Sequence, residues 1–107
     1  MYIAIVQIPG ISRTKEKAIS DAETNLEKFS KVQGLLTKYF LNGDAGGGGV
    51  YIWESKEAAD QWYTPEWQAA NVKRFGSEAK LTVYDNYVIL DNQNKTAIID
   101  GQTRKFG

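Results

Sequence analysis

The chain has 107 residues, with 13 basic and 13 acidic side chains, so its formal net charge is zero. That balance argues against a nucleic-acid binder, whose basic excess would release counterions from phosphate. Cys and His are both absent, which excludes disulfides, thiolate nucleophiles, imidazole bases, the Ser-His-Asp and Cys-His arrangements, and metal sites built on His or Cys.

The length fits a single domain with one modest core. The N-terminal MYIAIVQIPGIS lacks a basic leader, and its apolar run is too short for a signal peptide or a membrane span. The expected location is the cytoplasm, with no membrane partner. Tyr2 to Ile8 is apolar on both faces and ends at Pro9-Gly10, which predicts a strand inside a covered sheet. Ser12 is a candidate N-cap. Ala18, Ala22, Leu26 and Phe29 then recur on one helical stripe, predicting one helix of about 18 residues that Gly34 stops. On its wet face Glu27 and Lys31 form a favourable pair one turn apart.

Leu35 to Leu41 predicts a second strand, with Leu35, Thr37, Tyr39 and Leu41 on one face and Leu36, Lys38 and Phe40 on the other. Lys38 is thus a cation among apolar neighbours. NGDAGGGG at 42–49 reads as a flexible hairpin loop before a strand at Val50 to Trp53. A phosphate loop would need these glycines to open a helix, and they open a strand. Ser55 caps the next helix, and Thr64-Pro65-Glu66 restarts it, so 55–75 predicts one helix broken at Pro65 and ended by Gly76. Ala79 to Leu90 predicts a long final strand with a bend at Asp85-Asn86. Residues 1–92 form the expected domain. Residues 93–107 are expected to be a polar tail carrying at most one short strand around Ala97-Ile98-Ile99. Asp91 to Lys95 lacks the alternating acids and central Gly of a calcium loop.

This order predicts an α+β fold: a ferredoxin-like βαββαβ unit with a four-stranded antiparallel sheet and both helices on one face. The other face would be bare and apolar, so a homodimer through the sheet faces is expected.

The segment from Gly34 to Gly76 contains GLLTKYFLN, GGGGVYIWESKEAADQWYTPEW and RFG. It resembles the YdhR-like monooxygenases of the dimeric α/β-barrel superfamily, and the likeness extends over roughly residues 2 to 92. The resemblance implies a pocket between helices and sheet, and a reaction that needs no cofactor. Haem-degrading relatives rely on a His that is absent here. Ten of the 13 aromatic residues lie between Tyr39 and Tyr87, so a small hydrophobic aromatic ligand is expected. Tyr51, Trp53, Trp62, Tyr63, Trp67 and Phe75 are the candidate binding residues. Cofactor-free oxygenation of an electron-rich phenol or anthrone needs a base, an anion stabiliser and exclusion of water. Lys38 is the first candidate, since desolvation lowers a lysine pKa. Tyr39, Tyr51 and Arg74 are candidate donors. The alternative for Lys38 is a structural ion pair with Glu54. The alternatives for the protein are a non-catalytic small-molecule-binding homodimer, or a scaffold with a solid core.

Overall fold

The computed structural model describes residues 1–106. Strand β1 (Tyr2–Pro9) alternates buried and half-buried positions, as a strand covered on one face and partly open on the other must. Tyr2, Ala4 and Val6 point into the core. The first helical region is two helices, α1 (Lys15–Glu23) and α2 (Leu26–Ser30). The predicted continuous helix is interrupted because the Thr24 hydroxyl and the Asn25 amide both donate to the Asp21 carbonyl, at 2.8 and 2.9 Å. Short polar side chains that bond the backbone in this way compete with the helical ladder. The N-cap is Thr14, not Ser12: its hydroxyl accepts from the Lys17 amide at 3.2 Å. The Glu27–Lys31 pair forms at 3.1 Å on the exposed face.

Strands β2 (Leu35–Gly43) and β3 (Gly46–Trp53) form a hairpin around Asp44-Ala45. The glycines expected in a flexible loop are therefore mostly strand. Two of them need to be glycine. Gly46 and Gly48 have φ of +131° and +139°, and a Cβ on either would run into the carbonyl of Ile8 or Val6 on the adjacent β1.

The broken helix is as the caps predict. In α3 (Lys56–Trp62) the Ser55 hydroxyl accepts from Ala58 N at 3.1 Å, and in α4 (Pro65–Phe75) Thr64 accepts from Trp67 N at 3.2 Å. Gly76 ends α4 in the left-handed region at φ +81°. Gln68 then anchors α4 to the next strand by a two-way bond to the Ala79 backbone, at 2.9 and 2.8 Å.

The ferredoxin-like βαββαβ fold with one four-stranded sheet is not the fold of this chain. Among the described residues, seven strands form two antiparallel sheets, of four and three strands, alongside four helices. The larger sheet has the order β2-β3-β1-β4, with β4 at Lys80–Asp85. The smaller has the order β5-β6-β7: Val88–Asp91, Thr96–Ile99 and Gln102–Lys105. The predicted single strand 79–90 divides at Asn86, whose amide donates to the Met1 carbonyl at 2.9 Å and whose side chain donates to Val88 O at 3.2 Å. These bonds end the first sheet and turn the chain into the second.

The residues expected to be a polar tail contribute two of the three strands of that second sheet. Two tight turns make this possible. Asp91 accepts from Gln93 N and Asn94 N at 3.0 and 3.1 Å, and Lys95 follows at φ +55°. Asp100 and Gly101, at φ +47° and +82°, make the second turn. The radius of gyration is 15.4 Å, against about 13 Å for a compact chain of this length. No described helix is long and apolar enough to cross a membrane.

Candidate functional site

The core is aromatic. Trp53 is fully buried, its ring stacked 6.1 Å from Tyr51 and edge-on to Tyr63 at 5.7 Å. Its Nε1–H donates to the Tyr63 hydroxyl at 3.2 Å. Tyr63 in turn meets Trp67 edge-on at 4.9 Å. Burial pushes the Tyr63 hydroxyl well above its ordinary pKa, although the bond from Trp53 opposes the shift.

Beside this core lies a cavity of about 350 Å³ between the helices and the large sheet. The glycines of β3 help to make room for it. Gly47 and Gly49 share the helix-facing side with Tyr51 and Trp53, so the end of β3 nearest α1 carries no side chains on that side. At Gly49 a Cβ would sit 3.2 Å from Lys38 Cε and 3.3 Å from the Tyr51 ring. The missing side chain is the space that the Lys38 stem occupies.

Lys38 reaches the cavity through an irregularity of β2. Its register against β3 shifts between Leu35 and Thr37: Leu35 pairs with Trp53, Thr37 with Ile52 and Lys38 with Tyr51. The extra residue places Leu35 and Lys38, three apart, on the same helix-facing side. The predicted alternation of Leu35 and Thr37 against Leu36 and Lys38 therefore fails at Leu35. The ammonium lies 3.4 Å from the centroid of Phe29, 4.1 Å from that of Phe40 and 4.7 Å from that of Tyr51. It is held by three ring faces. The expected alternative, an ion pair with Glu54, does not form: Glu54 follows the end of β3 and lies against Gly34. Among the described residues no carboxylate pairs with Lys38. Burial, with Lys28 and Arg74 nearby, lowers its pKa to about 7. Burial raises the Tyr51 hydroxyl to about 12, so it keeps its proton across the neutral range.

The cavity brings together Lys38, Tyr51, Trp62, Trp67, Arg74 and Phe75 of the predicted set. Three candidates are elsewhere. Trp53 and Tyr63 are packed behind the cavity wall as core. Tyr39 points to the opposite face of the sheet, paired with Val50, and is 58% exposed. The space between the helices and the large sheet is not filled by the tryptophan side chains. Residues that the sequence reading missed are Lys28, Phe29, Asn71 and the Arg13–Asp21 pair. Phe29 was legible as part of the helical stripe, whereas Lys28 and Asn71 carry no local signal. Arg13 and Lys17 bind Asp21 at 3.0 and 2.9 Å, and they hold its carboxyl below the usual range, Lys17 contributing most.

No family model matches the chain, and no curated protein matches it.

Proposed function

We propose that the protein is a cofactor-independent monooxygenase for a small electron-rich aromatic, a phenol or an anthrone, bound in the cavity between helices and sheet. The observation that carries this reading is Lys38: an amine without a carboxylate partner, inside an aromatic cavity, whose pKa of about 7 makes it a base at neutral pH. The likeness of residues 34–76 to the YdhR-like family supports it. A volume of about 350 Å³ lies within the ordinary range of small-ligand sites.

On an anthrone, Lys38 takes a proton from the ring methylene. The protonated Tyr51 hydroxyl and the Arg74 cation stabilise the oxyanion that forms. The carbanion passes electrons to O₂. One oxygen atom becomes the new carbonyl and the other leaves as water, so the substrate supplies all the electrons and no cofactor is required. The reading places the protein in the cytosol, in keeping with the absence of cysteine.

Oxygen uptake with a panel of anthrones and hydroquinones is expected to exceed the buffer rate, and to rise between pH 6 and pH 8 as Lys38 loses its proton. Uptake at the buffer rate for every compound removes the oxygenase reading. A second reading, a non-catalytic aromatic-binding protein, is favoured by one feature: the Lys38 ammonium lies against three rings, and among the described residues no carboxylate pairs with it. An unmodified aromatic retained in native mass spectra, without turnover, would select it.

The same proposal pairs two copies through the open face of the large sheet. Ile3, Ile5, Val50, Ile52, Tyr39 and Tyr84 meet there in register, with Thr37, Gln7, Thr82 and Lys80 around them. An apolar centre with a polar rim is the anatomy of an interface, and a two-fold contact matches such a patch to itself. Sedimentation is expected to give twice the 12.0 kDa chain mass. A species of single mass at micromolar concentration rejects the dimer.

A further inference from the structure

The polar groups around the cavity are unbalanced. Lys28 comes from α2, Lys38 from β2 and Arg74 from α4, so three separate elements each bring a cation to one space. The whole chain is neutral, so this is a local excess. The carboxylate lining the cavity, Asp21, is already bound by Arg13 and Lys17. Two buried N–H donors of the lining, Trp62 Nε1 and Asn71 Nδ2, have no partner among the described residues. Buried donors left unbonded and like charges held together both cost stability. Binding an anion with several acceptor oxygens relieves both costs at once.

We propose that the ligand carries a carboxylate beside its aromatic ring, and that Lys28, Lys38, Arg74 and the Trp62 and Asn71 donors form its acid-binding end. The inference rests on the reading that this cavity holds an aromatic molecule, and it narrows that molecule to an aromatic carboxylic acid. The ring lies against Phe29, Trp62 and Phe75, and the carboxylate faces the cations. A negative charge at that end favours the protonated form of Lys38. An acid ligand therefore keeps Lys38 charged to a higher pH, so turnover of an acid substrate is expected to need a higher pH than turnover of its ester.

Calorimetry with the full chain tests this, using three probes of matched ring size: 6-hydroxy-2-naphthoate, its methyl ester, and 2-naphthol. The acid is expected to bind about tenfold more tightly than the ester or the naphthol. Combining Lys28→Gln with Arg74→Gln is expected to weaken acid binding about tenfold and to weaken ester binding by a clearly smaller factor. Both residues are exposed, so the double variant retains the fold. Ester or naphthol binding as tightly as the acid overturns the acid-binding end and leaves the aromatic cavity standing. Acid binding undiminished in the double variant overturns the assignment of Lys28 and Arg74. Failure of all three probes to bind overturns the cavity reading, and this inference with it.

Discussion

Lys38→Met is expected to lower oxygen consumption by about 10²–10⁴-fold, the range that a positioned proton acceptor contributes, while making the fold more stable. Both effects have one cause. Desolvation, then the nearby charges of Lys28 and Arg74, lowers the Lys38 pKa from 10.5 to about 7. Below pH 7 both the folded and the unfolded chain carry the proton, and the folded chain bears the full penalty of a charge in an aromatic cavity. Between pH 7 and 10.5 the folded chain has released that proton while the unfolded chain still holds it, so stability rises with pH through this window. Above 10.5 both forms are neutral and the penalty is gone.

Methionine fills a similar volume without the charge. Its advantage is therefore greatest below pH 7 and declines toward pH 10. Solvent still reaches part of the side chain, so the gain is about 1–3 kcal/mol rather than the full equivalent of the shift. Urea unfolding at pH 6 and pH 10 measures it. Equal gains at the two pH values would show that the Lys38 charge is not penalised, and unchanged oxygen uptake would remove it from the mechanism.

The second large effect is expected at Trp53. Its ring is fully buried between Tyr51, Tyr63 and Trp62, with centroids 6.1, 5.7 and 6.4 Å away. Trp53→Ala removes the largest fully buried side chain and leaves a cavity that the surrounding rings can close only in part. The cost is about 3–5 kcal/mol, against a total of about 5–15 kcal/mol for a typical domain. The Tyr63 hydroxyl also loses the donor that meets it at 3.2 Å. Trp53→Phe keeps most of the volume and is expected to cost about 1–3 kcal/mol, mainly through the lost bond and the smaller ring. Far-UV circular dichroism in urea distinguishes the two variants. A loss below about 1 kcal/mol for the alanine variant would contradict the role of Trp53 as the centre of the core.

These expectations separate two tryptophans that look alike in the sequence. Trp53 and Trp62 both lie in apolar stretches, and both were candidate walls of a site. Trp53 follows Tyr51 on the helix-facing side of β3, directly under α3, and becomes core. Trp62 ends α3 beside Phe29, at 5.6 Å, and lines the cavity. The difference is how α2 and α3 sit on the sheet, which no local pattern records. Tyr39 shows the same limit. A two-residue period tells which strand neighbours share a face, but not which face the helices cover.

What the sequence alone determined is what depends on residue inventory and on neighbours a few positions apart. The absence of His and Cys excluded whole classes of chemistry. Ser55, Thr64, Pro65 and Gly76 marked the breaks in the second helical region, because a cap bonds amides within one turn. The alternation of β1 was legible for the same reason. The tertiary structure decided what depends on how the strands pair. The β2 bulge against β3 aimed Lys38 into a cavity cleared by β3 glycines. The bond between Asn86 and Met1, 85 positions apart, ended one sheet and began another. The tail became strand through two tight turns, at Asp91 to Lys95 and at Asp100-Gly101, the second a residue pair suited to a two-residue hairpin. Only the sheet boundary rests on segments far apart in the chain, where local propensity has no information; the bulge and the tail strands lie within hairpins of neighbouring strands.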